Sequence, residues 1–415
     1  MLLRSLRCRM RYDDAVYAFM LAGVVAVLLT PLAGKLARKT GAMSIPSDRG
    51  LAKRPTPELG GLAILAGVLI AAAVWLPSTF ALAKPAHAAL HAGGTVHTWV
   101  VLAGACLIAL VGAVDDAVDL PPLIKLLGQV AAAVIAVRGG AVIEDLTIPL
   151  VGAFQFPDSG GALTVIWLVA LMNIVNFSDG IDGLAAGLCT IDGIAFTVIT
   201  FNLQGGRSAA AVLAAITAGA SLGFLIHNFP PASIFMGDTG ANLLGYLVGI
   251  AAVIGSIKTN VAVALVLPLL VLAVPFLDTG FVVAKRLKYG RKPWRADAEH
   301  FHHRMAHIGF SPRRTVAYLY AWTLMLAGVA VALRFVPYHS ENGAYHLGWS
   351  LVMGAILLIA AAASLYLVYV LEILKFKRLR TIQLRKINPN TSEHEIVQTI
   401  KRDVETGEFD SVRRK

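Results

Sequence analysis

Leu171 to Gly187 reads LMNIVNFSDGIDGLAAG, an apolar run that stops at a polar knot of Asn173, Asn176, Asp179 and Asp182 separated by glycines. Two amides and two carboxylates at the end of a membrane-type segment persist where they face protein, water or a ligand. Outward from this stretch, 57% of the 415 residues are apolar and 15% charged, which excludes a soluble domain with a polar shell. The expected fold is an all-α, polytopic integral membrane protein. Eleven stretches are long enough to span or nearly span a bilayer: roughly 14–36, 60–77, 98–114, 121–137, 161–176, 182–202, 208–228, 240–256, 259–284, 315–336 and 348–374.

Numbered from the first span, the odd connections carry the positive charge. The first holds Lys35, Arg38, Lys39, Arg49, Lys53 and Arg54, and the ninth holds nine Lys or Arg between Lys285 and Arg314. The even ones carry at most one each: Lys84, Arg138, Arg207, Lys258 and Arg334. The positive-inside rule then puts the odd connections and the C-terminus in the cytosol and the N-terminus outside. Arg4, Arg7 and Arg9 precede the first span on the external side, and a start at Met10 would remove them. No cleavable signal pattern is expected, because basic residues follow the first span. Residues 1–374 form the expected transmembrane domain. Residues 375–415 form a basic tail whose Lys375, Lys377, Arg378 and Arg380 suit lipid headgroups.

Cys8, Cys106 and Cys189 are isolated, so no disulfide framework or CxxC metal site is expected. The net charge of +11 sits beside apolar spans, which reads as topology and anionic ligands rather than nucleic acid.

Four odd connections hold chemistry-bearing residues. The third reads Asp115-Asp116-Ala-Val-Asp119-Leu-Pro-Pro122, and if the third helix extends by a turn, Asp115 and Asp119 share a face. Three like charges in five residues repel, and a divalent cation would resolve the repulsion; a solvated acidic turn is the plainer alternative. The fifth is the opening stretch. The seventh, from His227 to Asn242, pairs Phe235 with the glycine-flanked Asp238. Phe235 is suited to stack on a base and Asn228 to hydrogen-bond its edge, against interface packing and an amide cap. The ninth contains His300, His302, His303 and Arg304, which suit an anionic sugar nucleotide; zinc is the rival, without a nearby cysteine or finger spacing. Lys53 and Arg54 are placed to reach a diphosphate or simply to anchor topology. Asp192, about 15 Å into the sixth span at helical rise, has no assigned role.

Parity puts these clusters on one face, the cytosolic one. Acids for a metal, bases for phosphates and a lipid environment together suggest phosphoryl transfer from a cytosolic nucleotide to a membrane-resident acceptor. At these residues the chain resembles the polyprenyl-phosphate N-acetylhexosamine-1-phosphate transferases. The resemblance covers Pro46 to Arg304 and rests on a DDxxD-type cluster (Asp115, Asp116, Asp119), an NxxNxxDGxDGLA run (Asn173 to Ala185), FMGDTG (Phe235 to Gly240) and HxHHR (His300 to Arg304). Arg304 is similar to the N-acetylglucosamine-1-phosphate branch.

The resemblance implies that undecaprenyl or decaprenyl phosphate attacks UDP-N-acetylglucosamine, giving lipid-diphosphate-GlcNAc and UMP, with magnesium (manganese as the alternative) required. It implies Asp238 as a magnesium ligand, with Asp115 and Asp116 orienting or deprotonating the lipid phosphate or sharing the metal. Asp179, Asp182, Asn228 and Phe235 would hold the uridine. His300, His302, His303 and Arg304 would face the diphosphate and sugar, and Asn173 and Asn176 would support the pocket. A bacterial inner-membrane location and a homodimer as candidate assembly accompany this reading. Relatives commonly show RKxH where this chain has Arg49-Gly-Leu-Ala52. The alternatives are phospho-MurNAc-pentapeptide transfer and, from another class, a transporter with an acid-lined path; a transporter would distribute its acids through the bilayer depth. A non-catalytic membrane scaffold would not need four polar loops on one side.

Overall fold

The computed structural model describes residues 12–45, 55–81, 95–143, 145–148, 152–156, 159–201, 208–256, 272–274, 276–277, 280, 305, 310–336, 346–387, 392, 395–396 and 398–399. Arg49, Lys53, Arg54, His300, His302, His303 and Arg304 lie outside them. The helices are α1 (Tyr12–Thr40), α2 (Gly61–Trp75), α3 (Thr98–Val118), α4 (Pro122–Arg138), α5 (Gly160–Ser178), α6 (Leu184–Phe201), α7 (Ser208–Asn228), α8 (Gly237–Ser256), α9 (Pro312–Phe335) and α10 (Leu347–Ile387). Three antiparallel hairpins join them: β1 (Met43–Ser44) with β2 (Thr56–Pro57), β3 (Thr79–Ala81) with β4 (Thr95–His97), and β5 (Asp145–Ile148) with β6 (Gly152–Gln155).

Eight of these helices, all but α2 and α4, are long and apolar enough to cross a membrane, so the chain is an all-α, multi-pass membrane protein. Most of the stretch at 259–284 lies outside the described residues. The chain forms two compact units, residues 1–285 with 316–337, and residues 286–315 with 338–415. The second contains α10, which continues as a single helix from its apolar part to Ile387.

In the first unit the packing follows bilayer rather than aqueous logic. Along α1, Ala15, Ala18, Ala22, Ala26 and Ala37 are buried, while Val16, Met20, Val24 and Leu28 are more than half exposed. Large side chains toward lipid and small ones toward protein let helix backbones approach closely. α7 is packed by α1, α2, α6 and α8, and α8 in turn by α3 and α5. The segment before α2 is stitched to the start of α8: Gly60 and Gly61 N–H groups donate to the Phe235 and Met236 carbonyls at 3.0 Å each, and Phe235 N–H donates to Pro57 at 2.8 Å. A Cβ on Gly61 would lie 2.2 Å from Gly240 N, so only glycine permits this approach. The ends of α3, α5 and α7 and the starts of α4 and α8 thereby converge with the β1–β2 hairpin.

Candidate active site

α3 runs past its apolar stretch, so Asp115 and Asp116 occupy its last turn. Asp119 caps the helix in the left-handed conformation (φ 52°), which aspartate tolerates better than most residues. Its N–H donates to the Asp115 carbonyl at 2.8 Å, and the chain turns through Pro121 into α4.

Lys125, in the first turn of α4, reaches back across this turn. Its Nζ lies 2.6 Å from Asp115 Oδ2, 3.3 Å from Asp238 Oδ2 and 4.0 Å from Asp119 Oδ1. The other Asp115 oxygen accepts the Leu120 N–H at 2.7 Å. Asp238, in the first turn of α8, also accepts from Asn176 Nδ2 at 2.8 Å. Two helices, α4 and α5, thus hold the two oxygens of a carboxylate borne by a third, α8.

Asp116 faces the start of α8. It accepts the Asp238 N–H at 2.7 Å on Oδ1, and on Oδ2 the Thr239 N–H at 3.1 Å and the Thr239 hydroxyl at 2.6 Å. The first N–H groups of any helix lack intrahelical partners and carry the positive end of its dipole, so a carboxylate from α3 satisfies both needs of α8. Gly237 makes the fit: φ is 68°, and a Cβ there would lie 2.2 Å from both Asp116 Oδ2 and the Glu58 carbonyl.

Asp115, Asp116 and Asp238 each offer a carboxylate oxygen, and these lie within 4.8 Å of one another. An all-oxygen donor set fits a hard divalent cation, and Asp115 and Asp238 are the freer donors because Asp116 already accepts three hydrogen bonds. Around them the site is strongly acidic. Burial first, then the neighbouring Asp238, Asp116, Asp182 and Glu58 carboxylates, pushes Asp179 well above the ordinary carboxylate range. Burial likewise raises Glu58, against a hydrogen bond from Ser44 and with reinforcement from Asp238.

Beside the carboxylates, the loops after α5 and α7 brace each other. Asn228, 1% exposed, accepts the Gly183 N–H on Oδ1 and donates to the Ile234 carbonyl, each at 2.9 Å. Asp182 Oδ2 accepts the Ala232 N–H at 2.8 Å, and the Tyr320 hydroxyl of α9 donates to the Gly183 carbonyl.

Known proteins are similar to this chain in sequence. The profile of glycosyl transferase family 4 matches residues 98–256, from the first residue of α3 to the last of α8. A probable undecaprenyl-phosphate N-acetylglucosaminyl 1-phosphate transferase of Bacillus subtilis (strain 168) is 32% identical over 323 residues, 77% of this chain and 85% of that protein. A decaprenyl-phosphate N-acetylglucosaminephosphotransferase of Mycolicibacterium smegmatis is 36% identical, covering 83% and 87%. A phospho-N-acetylmuramoyl-pentapeptide-transferase of Moorella thermoacetica is 31% identical, covering 76% and 96%.

The chain belongs to glycosyl transferase family 4.

Of the residues singled out in the sequence of this family 4 protein, Asp115, Asp116, Asp238 and Asn176 come together. Asp179 joins their electrostatic neighbourhood. Asp119 reaches only Lys125, at 4.0 Å, with its side chain fully exposed and outside the three-carboxylate group. Asn173 lies one turn further into α5 and donates to Gln129 rather than to the carboxylates. Phe235 is half-buried and ties α8 to the segment before α2 through its backbone. Lys125, Glu58, Thr239 and Tyr320 join the site without standing out individually in the sequence. Lys125 carried a usable signal, an ionisable residue inside an apolar stretch; Thr239 and Tyr320 act through geometry that no local pattern announces.

Proposed function

We propose that this family 4 enzyme transfers N-acetylglucosamine-1-phosphate from UDP-N-acetylglucosamine to a polyprenyl phosphate, releasing UMP, as the first membrane step of an envelope polysaccharide. The observation that carries the proposal is the meeting of Asp115, Asp116 and Asp238 with Lys125 and Asn176 at the ends of four helices, three of them long enough to span a membrane. The names of the Bacillus and Mycolicibacterium relatives support the polyprenyl-phosphate acceptor and the N-acetylglucosamine-1-phosphate group transferred. In this reading the odd connections are cytosolic, eleven spans cross a bacterial inner membrane, residues 1–374 are the catalytic domain, and residues 375–415 are a basic tail.

A phosphate monoester has its second pKa at about 6, so the acceptor is already largely dianionic at neutral pH. Orientation and charge neutralisation are then the chain's main tasks. An oxygen of the lipid phosphate bonds to the sugar-linked phosphorus while the bond to the UMP oxygen breaks, leaving lipid-diphosphate-GlcNAc and UMP. Lys125, steadied by Asp115, draws phosphate oxygens toward the carboxylates. Asp115 and Asp238 would hold magnesium, which when bound stabilises charge on the transferring phosphoryl group. Asp116 keeps Asp238 in place through the start of α8. Asp179 and Phe235 face the uridine, and Asp182 and Asn228 shape its pocket by bracing the loops. Lys53, Arg54, His300, His302, His303 and Arg304 contribute contacts to the diphosphate and sugar.

The test supplies detergent-purified protein with polyprenyl phosphate, magnesium and several UDP-sugars, and measures UMP. Release with UDP-N-acetylglucosamine is expected. Release with UDP-MurNAc-pentapeptide alone would instead favour the activity named for the Moorella relative, and no release with any sugar would refute the proposal.

A further inference from the structure

Beneath the carboxylates lies a second polar layer made of three amides. Gln129 of α4 donates through Nε2 to Asn242 Oδ1 of α8 at 2.8 Å, and its Oε1 accepts from Asn173 Nδ2 of α5 at 2.8 Å. The outer two amides are tied to their own helices: Asn173 Nδ2 also donates to the Val169 carbonyl at 2.8 Å, and Asn242 Nδ2 donates to the Asp238 carbonyl at 2.9 Å. Gln129 and Asn242 are each 5% exposed. With both Asn173 hydrogens engaged, Gln129 accepts on that side and donates on the other, which fixes the orientation of every amide in the chain.

The layer repeats the site above it. Asp238 is held from α4 by Lys125 and from α5 by Asn176. Gln129 lies four residues beyond Lys125, Asn242 four beyond Asp238, and Asn173 three before Asn176. Each step is one helical turn away from the carboxylates and into the bundle. The same three helices are therefore bonded to one another at two successive levels, and the deeper level contains no group that reaches the carboxylate oxygens.

We propose that Gln129 is a positioning residue for the phosphoryl transfer: it locks α4, α5 and α8 in register so that Lys125 and Asn176 meet the two oxygens of Asp238. The proposal rests on the reading of this site as a transferase. Sliding one helix past another by a single residue is a shift of about 1.5 Å, and displacements of that order at reacting groups lower turnover about a hundredfold. Interhelical hydrogen bonds inside membranes add little to fold stability on average, so catalysis should feel the loss of Gln129 more than folding does.

The test compares the full-length protein with Gln129→Met, which matches the side chain's length without its hydrogen bonds, and Gln129→Glu, which still accepts from Asn173 and from a turned Asn242. For Gln129→Met we expect kcat to fall about ten- to a hundredfold with KM for UDP-N-acetylglucosamine within about twofold. Binding of Mn²⁺ alone, followed by electron paramagnetic resonance, should weaken several-fold while the melting temperature changes little. Gln129→Glu should recover part of both kcat and Mn²⁺ affinity. If Gln129→Met does not accumulate, Asn242→Ser breaks the same link from α8 and carries the same expectation. Unchanged kcat and Mn²⁺ affinity, or a melting loss with Mn²⁺ affinity intact, would overturn the role of Gln129. Absence of UMP release from the unsubstituted protein would instead overturn the proposed function.

Discussion

Replacing Lys125 by methionine separates metal holding from turnover. The ammonium lies 2.6 Å from Asp115 and 3.3 Å from Asp238, the two carboxylates best placed to hold a cation. A divalent ion taking either oxygen competes with an existing positive charge. The Lys125 side chain is 32% exposed and that of Asp115 5%, so the pair falls between a screened surface bridge and a buried one. Charged hydrogen bonds in such settings contribute about 1.5 kcal/mol, so removing the competitor should tighten Mn²⁺ binding about tenfold. Turnover should move the other way, by about a hundredfold, because a donor to the transferring phosphate is lost. After treatment with EDTA, Mn²⁺ titration of the purified variant reads the first effect, and UMP release at saturating metal reads the second. Mn²⁺ binding that is unchanged or weaker in Lys125→Met would refute the idea that ammonium and metal share these oxygens.

Asp115→Asn and Asp238→Asn should each lower UMP release at least about a hundredfold, a loss of about 2.7 kcal/mol of transition-state stabilisation, with membrane insertion retained. Gly237→Ala should cost about 1–3 kcal/mol in thermal stability and lower activity, because its backbone is left-handed and its Cβ would strike Asp116 and Glu58. Asp179 titrates above the ordinary carboxylate range, so the folded metal-free protein retains a proton there that the unfolded chain has lost. Stability from this group therefore falls as pH rises from its unfolded pKa toward its folded one. Asp179→Asn should melt higher than the parent in EDTA at neutral pH, and the difference should shrink as pH drops into the ordinary carboxylate range. A constant difference across pH would refute it.

The positions of the helices were readable because a backbone in lipid must satisfy its own hydrogen bonds, which turns apolar length into helix. Their lengths were less so. α3, expected to end near residue 114, runs to Val118, and α10, expected to end near residue 374, continues to Ile387. Among the acids, Asp115, Asp116 and Asp238 stood out by charge in an apolar setting. The four-residue spacing of Asp115 and Asp119 suggested a shared face, yet α3 ends at Val118 and Asp119 turns outward; Pro121 and Pro122 were the cue to that break. Asn228 looked suited to a nucleobase edge, whereas both ends of its amide meet backbone. Gln129 was hidden because a single uncharged polar residue barely alters an apolar run, although it lies on the face of α4 turned toward α5 and α8.

The grip of Asp116 on the first amides of α8 changes how damage at that position should be interpreted. An enzyme altered there loses the mooring of the helix that bears Asp238, so a slow variant would report a metal ligand set adrift, and its rate deficit should not be equated with a missing proton acceptor.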